Sequence, residues 1–309
     1  MGQSLLIPSP NSAFSPILEF NTPFVKSHKI KSITFDIIDK RDFMVAEDKN
    51  LMNYYEFNAD GLITRFYYTT IVKTIEKEIH VPAAYHRKRM ISKAYSYSKN
   101  EYVYDTVSTV YLYNNQNLIM KRFNDGSYYE TRYFNYDSKN RITKEKRFKE
   151  TNVSESKNNF ILGNQTLISA DSFQYIDITK TQYKQICLNS EYRPYKEIII
   201  NKDTAGRIIS SNEYYTVAWI MQNAEFKYEN GILSSAEFKG NANGDVVLKS
   251  TYLCDSTNCI YTEKQFKNDN LLKEISYVTE KNTKMLHSFI ARDPVNKTMR
   301  IVKLQYLYY

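Results

Sequence analysis

The stretch Phe134-Asn135-Tyr136-Asp137-Ser138-Lys139-Asn140-Arg141-Ile142 decides the fold class, because it joins two apolar arms through a polar turn. Side chains alternate along a strand, so Phe134 and Tyr136 share one face of the first arm. Asp137 can accept hydrogen bonds from the local backbone, and Asn140 tolerates the positive φ of a tight turn. The stretch therefore predicts a β-hairpin.

The same pattern recurs along the chain around six further turn residues: Gly61, Asn117, Gly206, Gly231, Gly244 and Asn270. Asn117 and Asn140 are 23 residues apart, and Gly206 and Gly231 are 25 residues apart. A recurring interval of this size indicates an array of similar units. We expect all seven residues to lie in turns between antiparallel strands, mostly with positive φ.

The amino-acid composition favours strands over helices. The 309 residues include 28 Tyr and 16 Phe but only 8 Gly, and aromatic enrichment is typical of sheets. The predicted fold is all-β, a long antiparallel meander of repeated β-hairpins that forms a curled sheet or an open, barrel-like wrap. Residues 70–81 allow two interpretations: Ile71, Ile75 and Ile79 fit a helical spacing of four, whereas their β-branched side chains favour a strand.

Three segments are expected. Residues 1–30 form an extended N-terminal arm, because four of the seven prolines lie there: Pro8, Pro10, Pro16 and Pro23. The polar stretch 149–159 separates a first β-hairpin half, residues 31–150, from a second half, residues 151–309, unless both belong to one continuous sheet. No apolar run approaches the roughly 18 residues of a membrane helix. Met1-Gly2 is either the natural start or a start added after a signal peptide was trimmed.

Two stretches resemble a known repeat. Residues 134–142 and Ala205-Gly206-Arg207-Ile208-Ile209 are similar to the tyrosine–aspartate (YD) repeats of Rhs-type proteins, whose pattern is Tyr-x-Tyr-Asp-x-x-Gly-Arg-Leu. Looser relatives occur in secreted or periplasmic proteins of the Bacteroidetes cell envelope. This chain departs from the pattern in its spacing and in having Asn at positions 117, 140 and 270. The resemblance implies successive hairpins that form a shell or scaffold, and it carries over no catalytic residue. The expected location is periplasmic, outer-membrane-associated or secreted.

The cysteines and histidines indicate at most a disulfide. Cys254 and Cys259 flank a four-residue polar loop, so they are either disulfide partners across a hairpin mouth or two unrelated thiols. A disulfide would imply an oxidising compartment and leave Cys187 free and buried. His80 and His86 are six residues apart, which suits no common metal site, and we predict neither a metal nor another cofactor.

The candidate binding residues are six tyrosines in Tyr-x-Tyr pairs: Tyr95, Tyr97, Tyr102, Tyr104, Tyr111 and Tyr113. Tyrosine suits a sheet whose second face is only partly covered, and an exposed tyrosine face can also bind an envelope glycan or a partner protein. Basic runs at 86–89 and 144–149 could meet polyanions or simply be solvated strand faces. The net charge of +8 is scattered, which disfavours nucleic-acid binding.

The predicted role is non-enzymatic: an extracytoplasmic binding or scaffold protein of a bacterial envelope that uses an aromatic sheet face. One alternative is a β-barrel-like carrier of an apolar ligand, which a closed cavity lined by Tyr and Phe would support. The other is an enzyme acting on polysaccharide, which would need two carboxylates facing each other across a cleft at about 5–10 Å. No catalytic motif is present in the sequence.

Overall fold

The computed structural model describes residues 4–15, 18–86, 89–92, 94–124, 128–154, 161–240, 246–254, 260–280 and 283–309, with the backbone alone for 84–86, 89–92 and 260. Among these residues the chain forms one helix, α1 (Thr22–Ser27), and twenty strands: β1 (Ile30–Arg41), β2 (Glu47–Phe57), β3 (Ile63–Val81), β4 (Ala84–His86), β5 (Arg89–Ser92), β6 (Tyr95–Asn114), β7 (Asn117–Asn124), β8 (Tyr129–Tyr136), β9 (Ile142–Asn152), β10 (Leu162–Asp177), β11 (Gln182–Leu188), β12 (Pro194–Lys202), β13 (Ile208–Tyr215), β14 (Ile220–Glu229), β15 (Ile232–Gly240), β16 (Val246–Cys254), β17 (Ile260–Lys267), β18 (Asn270–Thr279), β19 (Leu286–Asp293) and β20 (Thr298–Tyr308).

The described strands other than β4 and β5 form one eighteen-stranded antiparallel sheet. Each strand pairs with the strands before and after it in this meander, and β20 pairs with β1, for example through Leu304 and Phe35. Pairing of the last strand with the first leaves no open edge, so the sheet is a closed barrel. The predicted all-β antiparallel meander is confirmed, and the barrel-like wrap closes completely.

The hairpin of β3 and β6 is the longest in the barrel, and it settles the ambiguous stretch. Residues 70–81 belong to β3, which pairs with β6 from Arg65–Val110 to Val81–Tyr95. The strand interpretation is therefore confirmed. β4 and β5 form a separate small hairpin between these two strands.

Four of the seven predicted turn residues have positive φ in turns: Gly61, Asn140, Gly206 and Gly231. The prediction is wrong at Asn117 and Asn270, which begin β7 and β18. Their turns are tighter than expected, and the left-handed conformation falls on Asn115 in one and on Asn268 and Asp269 in the other. Gly244 lies outside the described residues.

The repeated Asp-x-x-x-Arg turn has a clear physical basis. In the turn before β9, Asp137 Oδ1 accepts the backbone N–H groups of Lys139 at 2.8 Å and Arg141 at 2.9 Å, and Oδ2 accepts Arg141 Nε at 2.8 Å. These hydrogen bonds lower the pKa of Asp137. Asp203 makes the same bonds to Ala205 and Arg207 in the turn before β13. The aspartate thus fixes the turn backbone and orients the arginine.

Tyrosines join each of these turns to the next part of the wall. The Arg141 guanidinium lies 4.3 Å from the ring centre of Tyr175, whose hydroxyl donates to the carbonyl oxygen of Ile142 at 2.8 Å. The same arrangement recurs at the next such turn. The Arg207 guanidinium lies 4.8 Å from the ring centre of Tyr228, whose hydroxyl donates to the carbonyl oxygen of Ile208 at 2.8 Å. Phenylalanine could make the cation–π contact but not the hydroxyl hydrogen bond, so the combination favours tyrosine. Part of the tyrosine excess is therefore structural.

The N-terminal arm lies inside the barrel. Leu6 and Phe20 form an isolated antiparallel bridge, and α1 begins after Asn21, whose side chain accepts from Phe24 N. The arm contributes buried apolar side chains to a core with the inner faces of β1, β2, β19 and β20, among them Leu5, Leu6, Phe20, Phe24 and Val25. The arm therefore supplies core residues, and the sequence analysis did not anticipate α1. No helix in the described part of the chain is long and apolar enough to cross a membrane.

Two glycines with the same φ provide a test of how closely the arm packs on the wall. A Cβ at Gly61 would lie 2.5 Å from the carbonyl oxygen of Thr22, whereas a Cβ at Gly206 would meet nothing within 4 Å. Gly206→Ala is expected to lower the free energy of unfolding by about 1–2 kcal/mol, the cost of a left-handed alanine. Gly61→Ala should lose about 1–3 kcal/mol more through overpacking against α1. Chemical denaturation measures both, and equal losses would contradict this packing.

Candidate functional site in the barrel lumen

The inner wall of the barrel can be followed by register. Directly paired residues of antiparallel strands share a face, and Phe35 and Tyr55 contact the arm inside the barrel. Tyr55 on β2 pairs with Phe66 on β3, Phe66 pairs with Thr109 on β6, and Thr109 pairs with Phe123 on β7. These residues therefore line the lumen.

The part of the lumen that the structure describes contains a cavity of about 870 Å³, lined by residues of β1–β3, β6–β9 and β20. Its wall includes four aromatic side chains: Phe66, Tyr68, Tyr111 and Phe123. A second cavity of about 990 Å³ lies towards the β1–β2 turn, and Arg300 borders both. Cavities of this size accommodate small organic ligands.

The arm occupies the other end of the lumen. Thr22 approaches Gly61 in the β2–β3 turn, and on the far side Phe14 contacts the ring of Phe238 at 6.0 Å. The cavities between the arm and the wall are smaller, about 180 and 380 Å³. The lumen is thus filled at one end and hollow towards the other.

A network of ion pairs covers one side of the 870 Å³ cavity. Glu130 accepts from Arg147 at 2.6 Å and from Arg132 at 3.0 Å, and Arg132 reaches Glu145 at 3.3 Å. The hydrogen bond from Arg147, followed by that from Arg132, lowers the pKa of Glu130 despite its burial. Arg300 makes a bidentate pair with Asp39 at 2.7 and 3.1 Å. Each of these carboxylates is therefore paired with an arginine.

Lys121 lies beside this network and interacts electrostatically with Arg132, Glu130 and Glu145 without forming an ion pair with either carboxylate. It lines the same cavity, pairs in register with Tyr111 and Arg132, and its ammonium lies 5.8 Å from the ring centre of Tyr111. None of the ion pairs among the described side chains includes it. Burial, and then the charge of Arg132, lower its pKa. A partly desolvated ammonium without a carboxylate partner favours an anion.

The outer wall of the barrel carries paired charges together with exposed apolar side chains, among them Val110, Leu112, Leu253 and Val278. The side chains opposite to the lumen-facing ones include Asp36, which accepts from Gln305 at 2.7 Å, and Lys264, which pairs with Glu274 at 3.3 Å. Lys184 with Glu197 and Lys239 with Glu237 add pairs at 2.7 Å on other arcs of the wall. All lie in the strands and not in the turns.

The six predicted binding tyrosines share β6 but do not form one surface. Tyr95 and Tyr97 are exposed and stack on each other at 6.2 Å near the far end of the long hairpin. Tyr102 and Tyr104 donate hydrogen bonds to Glu47 and to the carbonyl oxygen of Lys49, which anchors β6 to the start of β2. Tyr111 lines the 870 Å³ cavity. Tyr113 lies beside the arm, and burial raises its pKa to about 12.

The cysteines are only partly described. Cys187 is buried and free, and burial raises the pKa of its thiol to about 11. Cys254 ends β16, but Cys259 lies outside the described residues, so the disulfide stays a prediction. Among the described residues no group of three or more His, Cys, Asp or Glu side chains is placed to hold a metal ion.

The charged lumen residues were not among the predicted site residues, although their spacing in the sequence indicates them. Glu130 and Arg132 are two residues apart, as are Glu145 and Arg147. That spacing puts both members of each pair on one face of a strand. The basic run 144–149 therefore divides, with Glu145 and Arg147 in the lumen network and Lys146 exposed on the outer face.

Neither a comparison with protein-family models nor one with curated proteins finds a match. Among solved structures, the chain is similar to a porin-like protein from Bacteroides uniformis, with 9% identity, a TM-score of 0.38 and coverage of 90% of this chain and 98% of that one. A porin-like protein from Bacteroides vulgatus is 8% identical, with a TM-score of 0.36, and the match covers 91% of this chain and 99% of that one. A TcdB2-TccC3-TEV structure is 10% identical, with a TM-score of 0.20, and the match covers 83% of this chain and 21% of that one. With TM-scores below 0.5, none of the three assigns a family or an activity to this chain.

Proposed function

We propose that this protein is a non-enzymatic barrel carrier, surrounded by water, that binds an apolar or aromatic ligand in its lumen. The observation that carries the proposal is the 870 Å³ cavity lined by Phe66, Tyr68, Tyr111 and Phe123. Ligand pockets are concave and largely apolar, with a few placed polar groups. The carrier alternative is therefore preferred to a scaffold that binds through an outer aromatic face.

Charged pairs on the outer wall support the proposal that water surrounds the barrel. A membrane-spanning barrel presents an apolar band about 25 Å tall to lipid, and each Lys or Arg at its centre costs about 2–4 kcal/mol. Here Lys264–Glu274 and Lys184–Glu197 occupy the middle of their strands on the outer face. Such pairs are well solvated in water, where they also disfavour association with the sheets of other molecules. A periplasmic or secreted location is part of the proposal and rests on the resemblance to envelope repeat proteins.

The state of the lumen carboxylates supports a role without catalysis. Glu130 lines this cavity, and Arg132 binds both Glu130 and the neighbouring Glu145. A glycosidase needs one such group to be a protonated acid, with a raised pKa. The pKa of Glu130 is instead lowered, by Arg147 and Arg132. These two groups are therefore suited to holding the arginines in place.

The carrier function predicts saturable binding of a small neutral aromatic probe. N-phenyl-1-naphthylamine should bind in detergent-free buffer at one site per chain, with enhanced fluorescence. Thr70→Trp should weaken binding about tenfold or more, because Thr70 lines the cavity and an indole there occupies ligand space.

The matched control is Thr34→Trp on the outer face of β1, which should leave probe binding unchanged. Thr34 pairs with Tyr54 and Gln305, away from the lumen-facing Phe35. Absence of saturable binding in the unmodified protein, or equal effects of the two tryptophans, would refute the lumen as the site.

A further inference from the structure

The charges around the 870 Å³ cavity do not balance. Four cations line it: Lys121, Arg132, Arg147 and Arg300. Three carboxylates neutralise the three arginines, since Asp39 pairs with Arg300 while Glu130 and Glu145 pair with the other two. The surplus of one positive charge is located on Lys121, which has no ion pair among the described side chains.

Lys121 also lies beside the apolar part of the wall. Phe123 is the next lumen-facing residue along β7, two residues or about 7 Å away. Phe123 pairs with Thr109, which pairs with Phe66 on β3. One side of the cavity therefore offers a cation and the adjoining side offers two phenylalanine rings. A ligand that satisfies both must have a negative end and an apolar or aromatic body.

We propose that the lumen binds an amphiphile whose anionic head, a carboxylate, sulfonate or phosphate, pairs with Lys121 while its apolar body lies against Phe66 and Phe123. This inference rests on the proposed carrier function and adds the chemical class of the ligand. The arginines contribute a positive field but remain held by their own carboxylates. Lys121 is the group whose charge the ligand neutralises.

Two probes that differ only in one sulfonate test the inference. 8-Anilinonaphthalene-1-sulfonate and N-phenyl-1-naphthylamine share the aromatic body, and only the first has the anionic head. The unmodified protein should bind the sulfonate at least about tenfold more tightly, since a charge-assisted hydrogen bond corresponds to about tenfold or more in affinity. Lys121→Met should remove that advantage while changing the affinity for the neutral probe less than about twofold, because methionine keeps the apolar stem.

The control variant is Lys303→Met, which removes the same charge from an exposed position on the outer face of β20. It should preserve the preference for the sulfonate. Equal affinity for both probes, or a preference that survives Lys121→Met, would overturn the inference and leave the carrier function standing. Failure of both probes to bind would overturn the carrier function itself.

Discussion

Phe20→Ala is expected to lower the free energy of unfolding by about 3–5 kcal/mol, the usual loss for a buried phenylalanine. Phe20 is 7% exposed, and its ring packs against Tyr55 at 4.8 Å and Phe57 at 5.1 Å, and also contacts Phe35. Alanine would remove all three ring contacts and leave a cavity between the arm and the wall. Chemical denaturation of the unmodified and variant proteins in one buffer measures the loss.

Phe14→Ala is the matched control, because Phe14 belongs to the same arm but is only half-buried and touches the single ring of Phe238. Its loss should be about 1 kcal/mol or less. Similar losses for the two variants would mean that the arm contributes generally and that Phe20 is not its anchor. A negligible loss for Phe20→Ala would contradict the position of the arm inside the barrel.

The hairpins could be predicted from the sequence, whereas closure of the sheet into a barrel could not. Asp137 and Asn140 lie three residues apart, and their turn depends only on local backbone chemistry. Closure depends on β1 pairing with β20, in which Phe35 meets Leu304 across most of the chain. No local pattern specifies that register, because any two strands with matching alternation could pair. The prediction therefore stopped at a curled sheet or an open wrap.

The arm shows a second limit of local reasoning. Its prolines predict an extended segment, but they say nothing about where that segment lies. Leu5, Phe20 and Val25 are apolar residues without a regular period, so they indicate neither a helix face nor a strand face. Their burial follows from the width of the closed barrel, which only the assembled sheet defines.

A structural and a binding role were weighed for the tyrosines from the sequence. Tyr175 ties two strands together, which is structural, whereas Tyr111 borders the cavity, where a binding role stays a proposal. Lys121 could not be selected from the sequence, because its importance lies in the absence of a carboxylate across the register. Only pairing partners reveal such an imbalance.

Glu150→Leu should be as damaging as the loss of Phe20, at about 3–5 kcal/mol, because it breaks a buried ion pair. The Glu150 carboxylate is fully buried between β8, β9 and β10. It forms an ion pair with Arg122, whose Nη2 donates to it at 3.4 Å, and it accepts from Thr131 Oγ1 and from Gln165 Nε2, each at 2.7 Å. Leucine would leave these donors without that acceptor in a site from which water is excluded. Thermal or chemical unfolding measures the loss.

Two further variants separate the charge from the burial. Glu237→Leu removes a carboxylate whose partner, Lys239, is exposed on the outer wall, so it should cost about 1 kcal/mol or less. Arg122→Met combined with Glu150→Leu should recover part of the loss, because replacing both members of a buried pair leaves no uncompensated charge. If the double variant is no more stable than Glu150→Leu alone, the cost lies with Thr131 and Gln165, and the ion pair is not what Glu150 contributes to the barrel.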